Sequence, residues 1–98
     1  MDEVFVRDGQ VFEWDPAKAA GNLAKHGIAF HQAAEVFLAP FVQACDAGEG
    51  QETREGAVGL TGSWQLIFVV YRIGAHRTIR IISARQATQH ERRKYENE

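Results

Sequence analysis

The chain opens with two short apolar stretches in the pattern of a β-hairpin. Val4–Val6 and Val11–Trp14 flank the pair Asp8-Gly9. Asp-Gly is a common turn between two antiparallel strands. We therefore predict an N-terminal strand or hairpin within this segment.

Two helical patterns follow the hairpin. Apolar residues recur at helical spacing after Asp15, which can accept hydrogen bonds from the amides of the first turn. Gly27 can end this helix in a left-handed conformation. A second apolar stripe predicts a helix over His31–Leu38, with a weak N-cap and an end set by Pro40.

The second half of the chain carries a run of strand patterns. Thr53–Thr61 and Arg77–Ala84 flank Trp64–Arg72, whose nearly continuous apolar run is typical of a central strand covered on both faces. Phe41–Cys45 is a candidate for a further short strand.

Strict alternation along the last predicted strand assigns its side chains to two faces of the sheet. Arg80 would then share its face with Ala84, whereas Ile79 and Ser83 would share the other face. Arg80 therefore shares its face with Ile82 as well in this prediction.

A C-terminal helix closes the pattern. Thr88 and Glu91 have the spacing of a capping box, as do Ser83 and Gln86, and we place the helix start at Thr88. The order of elements predicts an α+β fold. It is a compact antiparallel β-sheet with two N-terminal helices and a C-terminal helix, packed by helices on one side.

Composition narrows the class of protein. The 98 residues, 45% hydrophobic and 24% charged, fit one soluble domain spanning residues 1–98. A single cysteine, Cys45, excludes an internal disulfide framework and fits a reducing compartment. No apolar run approaches the roughly 20 residues that a membrane span needs. Because the acidic N-terminus also differs from a signal peptide, we expect a cytoplasmic protein.

The formal net charge of −2 hides a gradient along the chain. Residues 1–70 contain 4 basic and 10 acidic residues, whereas residues 71–98 contain 7 basic and 3 acidic residues. Such asymmetry hints at polyanion binding, since local patches set the field that a ligand meets. A solvated C-terminal helix with balancing salt bridges explains the same charges, and both interpretations stay open.

Arginine stands out among the candidates for chemistry, because its planar donor fork matches phosphate. The arginines on successive predicted strands and on the last helix are Arg54, Arg72, Arg80, Arg85, Arg92 and Arg93. Each could instead pair with a nearby acid such as Glu52, Glu55 or Glu91. Arg80 differs from the others, since a charge between two isoleucines in mid-strand needs a specific partner.

Lys25 and His26, at the end of the first helix, form a second candidate. Histidine can transfer protons near neutral pH, but a cation pair that complements the helix dipole is the simpler alternative. Tyr95 could stack on a base, although a core aromatic is the commoner role. No two of the four histidines have a convincing metal-ligand spacing, so we expect neither a metal site nor a cofactor.

Two long motifs resemble the BrnT family of bacterial toxins. FEWDPAKAAGNLAKHGIAF at Phe12–Phe30 is similar to the family's opening, and RIISARQATQHERRKYE at Arg80–Glu96 is similar to its closing motif. Between them, Glu52 and Arg54 stand where the family has its E-x-R. The segment before Phe12 is longer than the family's usual start, which marks residues 1–11 as an added strand or hairpin.

The resemblance implies a RelE-like fold and the toxin half of a type II toxin–antitoxin pair. Toxins of this family cleave RNA, arrest growth and are neutralised by the antitoxin BrnA, whose DNA-binding domain lets the complex repress its own promoter. For this chain it implies a ribonuclease with RNA as substrate and a BrnA-like antitoxin as partner. Promoter DNA would be contacted only through the complex, and no membrane partner is expected.

A mechanism follows from these expectations. Metal-independent cleavage can use the 2′-hydroxyl of RNA as nucleophile, and it needs a base, a cation for the phosphate and an acid for the leaving oxygen. We assign Arg54, Arg80 and Arg85 to the phosphate, and Lys25 and His26 to proton transfer or supplementary charge, with Glu52 and Tyr95 as the next candidates. The expected further RNA contacts are Arg72, Arg92, Arg93 and Tyr95. The alternatives are a nucleic-acid-binding module without catalysis and an attenuated toxin that acts as a corepressor.

Overall fold

The computed structural model describes residues 1–46 and 55–97, and at Asp46 it describes the backbone alone. A short 3₁₀ turn at Ala75–Arg77 joins the last two strands. The other elements of the described residues are β1 Glu3–Arg7, β2 Gln10–Trp14, α1 Pro16–His26, α2 Phe30–Val36, β3 Gln43–Asp46, β4 Glu55–Leu60, β5 Leu66–Ile73, β6 Ile79–Gln86 and α3 Gln89–Glu96. This order confirms the predicted α+β class and the N-terminal hairpin.

The six strands form one mixed sheet in the order β1-β2-β6-β5-β4-β3. Neighbouring strands are antiparallel except β2 and β6, which run parallel where Phe12 meets Ile79 and Glu13 meets Arg80. The prediction of a purely antiparallel sheet is therefore wrong. The tight turn after β5 makes β6 antiparallel to β5, whereas β2 leaves the sheet through a helical crossover, which permits a parallel neighbour.

The caps of α1 are those that its sequence predicts. Asp15 is extended, and its Oδ1 accepts a hydrogen bond from the amide of Ala17 at 2.8 Å. Gly27 has a φ of 70°, and its N–H donates to the carbonyl of Leu23 at 2.9 Å. A left-handed residue satisfies the last carbonyls of a helix without the steric cost of a Cβ atom.

The other two helices differ in the strength of their caps. At the start of α2 the amide of Ala29 donates to the side chain of Gln32, so the weak cap is confirmed, and the helix is shorter than predicted. At the start of α3, Thr88 and Glu91 form the predicted capping box through bonds of 2.9 and 3.1 Å. None of the helices described is long and apolar enough to cross a membrane.

The sheet is covered by helices on both faces, so the prediction of helices on one side is wrong. The α1–α2 face carries the larger core, which includes Phe12, Trp14 and Phe30. On the opposite α3 face, Tyr95 packs against a smaller cluster of Val58, Leu66 and Phe68. Ala87, just before α3, packs against the same cluster, and its amide donates a hydrogen bond of 3.0 Å to the carbonyl of Leu66. These contacts hold the start of α3 on this face.

Strand β5 is central, as its apolar run predicts. Ile67 and Val69 belong to the core of the α1–α2 face, whereas Leu66 and Phe68 belong to the cluster of the α3 face. A strand covered on both faces needs apolar residues at successive positions, and β5 has them.

A β-bulge in β6 changes which residues share a face. Val70 pairs with Ser83 and Tyr71 pairs with Ile81, so the residue between them, Ile82, is the extra one. Ala84 is therefore buried in the same core as Ile81, and the predicted alternation is wrong beyond the bulge.

Candidate nucleic-acid interface

A row of side chains crosses four adjacent strands on the α3 face. The register places Val4 opposite Glu13, Glu13 beside Arg80, and Arg80 opposite Arg72. Val4 is 63% exposed, so this part of the sheet is open to solvent. We call the surface formed by Asp2, Val4, Glu13, Arg72 and Arg80 the arginine face.

Arg80 is held by two carboxylates. Its Nη1 donates to Oε2 of Glu13 at 2.7 Å and to Oδ2 of Asp2 at 2.6 Å, and its Nη2 donates to Oδ1 of Asp2 at 3.4 Å. The side chain of Arg80 is 24% exposed and that of Asp2 is 46% exposed. The specific partner that a mid-strand charge requires is therefore present.

These bonds fix the charge of both groups. The hydrogen bond from Arg80 lowers the pKa of Asp2, and the bonds to Asp2 and Glu13 raise the pKa of Arg80. Sequence reasoning missed both partners, because Asp2 lies 78 positions from Arg80 and Glu13 lies 67 positions away. The helical and strand periodicities carry no signal for contacts at that separation.

Arg72 provides a second cation directly across from Arg80. Its side chain lies in an exposed part of β5. Like charges opposite each other on neighbouring strands are unfavourable, and the two carboxylates on Arg80 offset that repulsion. The arginine face therefore carries two guanidinium groups on adjacent strands and two carboxylates beside them.

The bulge places Arg85 on the same face of the sheet as Arg80. The guanidinium of Arg85 is already paired with a carboxylate. Its two terminal nitrogens donate to the two oxygens of Glu91 at 2.8 and 2.9 Å. The guanidinium also lies over the ring of Phe68, 4.5 Å from the centroid. This bidentate pair connects β6 to the first turn of α3, so the structure gives Arg85 a clear structural role, and its contact with phosphate stays a prediction.

The predicted RNA contacts of α3 are divided between solvent and core. Arg92 and Arg93 are exposed, and Arg92 lies 3.9 Å from Glu96. Tyr95 is half-buried, packs on the α3 face and lines a pocket of about 480 Å³ together with the exposed aromatic residues Phe41 and Trp64. The core role of Tyr95 therefore has structural support.

Lys25 and His26 end α1 on the opposite side of the sheet from the arginine face. The anchor of this helix is Asn22, which is 8% exposed and whose amide exchanges two hydrogen bonds with the backbone of Ala84 at 2.9 and 3.0 Å. Asn22 also donates to the carbonyl of Ile28 at 3.0 Å. The structure thus separates the predicted proton-transfer pair from the predicted phosphate-binding Arg80.

Arg54 and Glu52 of the E-x-R motif lie outside the described residues. Their assignment to the site stays a prediction. Within residues 1–46 and 55–97, no group of three or more potential metal-ligating side chains comes together.

Comparison with known proteins identifies the class to which this fold belongs. A model described as a ribonuclease toxin, BrnT, of a type II toxin–antitoxin system matches residues 14–91. The crystal structure of the Brucella abortus ribonuclease toxin BrnT is similar, with a TM-score of 0.62 and 28% identity over 78% of this chain and 94% of that chain. No curated protein matches the chain. The class is therefore the ribonuclease toxins of type II toxin–antitoxin systems, and within it the chain belongs to the BrnT family.

Proposed function

We propose that the chain is an endoribonuclease that cleaves RNA without a metal ion and arrests growth. In this proposal it acts in the cytoplasm and is neutralised by a BrnA-like antitoxin. Its fold is the RelE-like fold that the resemblance to the BrnT family implies. Promoter DNA is contacted only by the toxin–antitoxin complex. Membership in a family of ribonuclease toxins supports the reaction class.

The observation that carries the proposal is the pair of guanidinium groups on the arginine face. Arg80 and Arg72 lie opposite each other on adjacent strands, with Arg72 exposed and Arg80 partly exposed. A guanidinium fork can bind two oxygens of one phosphate, and it keeps its charge while the phosphate gains negative charge in the transition state. Two such groups side by side suit a phosphodiester backbone that crosses the sheet.

Glu13 is the group that we assign to the proton of the 2′-hydroxyl. Its carboxylate lies 2.7 Å from Nη1 of Arg80, next to the position of the bound phosphate. The carboxylate accepts the proton as the 2′-oxygen attacks phosphorus, a cyclic 2′,3′-phosphate forms, and the bond to the 5′-oxygen breaks. The leaving 5′-oxygen takes a proton from water. This assignment replaces Lys25 and His26 as the base, because those residues lie across the sheet.

Variants of the two faces test the proposal. The purified protein is incubated with a labelled single-stranded RNA in the presence of EDTA. We expect Arg80→Gln to lower the cleavage rate about 10²- to 10³-fold, and Glu13→Gln to lower it about 10²- to 10⁴-fold while RNA is still bound. Lys25→Ala serves as the matched control and should retain activity. Full activity of Arg80→Gln combined with a loss in Lys25→Ala would move the site to the other face.

Expression in cells tests the biological part. We expect growth arrest and RNA cleavage when the chain is expressed alone, and normal growth when the adjacent antitoxin gene is co-expressed. The corepressor alternative predicts harmless expression alone and promoter binding by the complex. The Glu13→Gln variant should be harmless but should still bind the antitoxin, since the substitution changes one charge and preserves the side-chain shape.

A further inference from the structure

The carboxylate of Asp2 takes the edge of Arg80 that a phosphate would need. Both of its oxygens face the two terminal nitrogens of the guanidinium, at 2.6 and 3.4 Å. Arginine binds phosphate through the same two-nitrogen edge. Glu13 uses Nη1 alone, from a neighbouring strand. A phosphate could therefore replace Asp2 and leave Glu13 in place.

Asp2 is also placed to be displaced. Its side chain is 46% exposed, and it lies at the end of the edge strand β1, just before Glu3. Glu3 is anchored, since its Oε1 accepts a hydrogen bond of 2.8 Å from the indole nitrogen of Trp14. Movement of Asp2 therefore requires no break in the β1–β2 pairing. Exposed ion pairs are weak, so a polyanion with several contacts can replace one carboxylate.

The segment that supplies Asp2 precedes the part of the chain that matches the family. The match begins at residue 14, after β1 and most of β2. The similar Brucella abortus structure is covered over 94% of its length by 78% of this chain. Asp2 thus comes from a segment that lies outside the family match.

From these observations we infer that Asp2 determines RNA affinity by competing with the RNA phosphodiester for the guanidinium of Arg80. The inference rests on the proposed function, since it takes Arg80 as a phosphate ligand. Removal of the carboxylate charge leaves Glu13 on Arg80 and frees the two-nitrogen edge. RNA binding then no longer includes the step that displaces Asp2.

A double-mutant cycle tests the competition. We compare the wild type with Asp2→Asn, Arg80→Gln and the double variant, and use Asp8→Asn as the control. Asp8 lies in the β1–β2 turn with a φ of 52°, a conformation that asparagine adopts readily, so the control removes the same charge from the same hairpin. Affinity for a single-stranded RNA is measured by fluorescence anisotropy over a series of salt concentrations.

We expect Asp2→Asn to bind RNA about two- to fivefold more tightly than Asp8→Asn, the factor that corresponds to an exposed ion pair. The salt dependence of log K should match that of Asp8→Asn, because Arg80 contacts phosphate in both complexes and the number of neutralised phosphates is unchanged. In the Arg80→Gln background the substitution of Asp2 should have no further effect. Equal affinities of Asp2→Asn and Asp8→Asn, with Arg80→Gln still weakened, would overturn the inference and leave the proposed function standing.

A failure of the proposed function gives a different pattern. In that case Arg80→Gln binds RNA as the wild type does, or no variant binds it. Competition is then measured with inorganic phosphate as the probe, by following the guanidinium signals of Arg80 in NMR spectra. Tighter phosphate binding by Asp2→Asn than by Asp8→Asn would support the competition, and equal binding would refute it.

Discussion

Replacement of Asn22 by alanine tests the contact that attaches α1 to the sheet. The side chain is buried, donates to the carbonyls of Ile28 and Ala84, and accepts from the amide of Ala84. Alanine removes all three bonds and leaves three buried backbone groups without a side-chain partner. No other residue type of similar size offers a donor pair and an acceptor in this arrangement.

The magnitude follows from these three bonds. Each contributes about 1 kcal/mol net, and an unsatisfied buried group costs about 1–3 kcal/mol. Alanine has a higher helix propensity than asparagine, and this difference stabilises the folded state by about 0.6 kcal/mol. We therefore expect the free energy of unfolding to fall by at least about 2 kcal/mol, a large part of the roughly 5–15 kcal/mol typical of a domain.

Urea denaturation followed by circular dichroism measures this loss. The matched control is Lys18→Ala, an exposed position on the same helix, which should change the free energy of unfolding by less than about 0.5 kcal/mol. A loss below about 1 kcal/mol for Asn22→Ala would show that α1 is held mainly by its apolar contacts, and the argument from the three bonds would fail.

Two further predictions concern stability. Arg85 lowers the pKa of Glu91 by hydrogen bonding, so the stabilisation from this pair is complete above the ordinary value of 4.5 and is lost as pH falls through the lower pKa of the folded state. Between pH 6 and pH 3 the wild type should therefore lose about 1 kcal/mol more than Glu91→Gln in urea titrations, and parallel curves would contradict this. A Cβ atom at Gly59 would lie 2.9 Å from Cγ1 of Val36, whereas one at Gly21 would have nothing within 4 Å. Thermal melts should show Gly59→Ala destabilised by about 1–3 kcal/mol and Gly21→Ala stabilised by about 0.5–1 kcal/mol, and the opposite order would refute the packing argument.

Local signals in the sequence predict the helices and the hairpin well. Asp15 and Gly27 bound α1, and Thr88 begins α3, because caps depend on residues within a few positions of each other. The parallel pairing of β2 with β6 has no such signal, since it joins segments far apart in the chain. The same holds for the bulge at Ile82, which depends on how β6 fits β5 rather than on its own pattern.

The charge gradient along the chain shows why the basic surface could be predicted in part only. The sequence places its acids early and its arginines late, and this separation predicts a basic C-terminal segment. The fold brings the two together, because β2 and β6 are neighbours and Arg80 therefore meets Glu13 and Asp2. Charges that are distant in sequence thus neutralise each other in space. In the proposed function, RNA binding at this surface would therefore include an exchange of the Asp2 carboxylate for phosphate at Arg80.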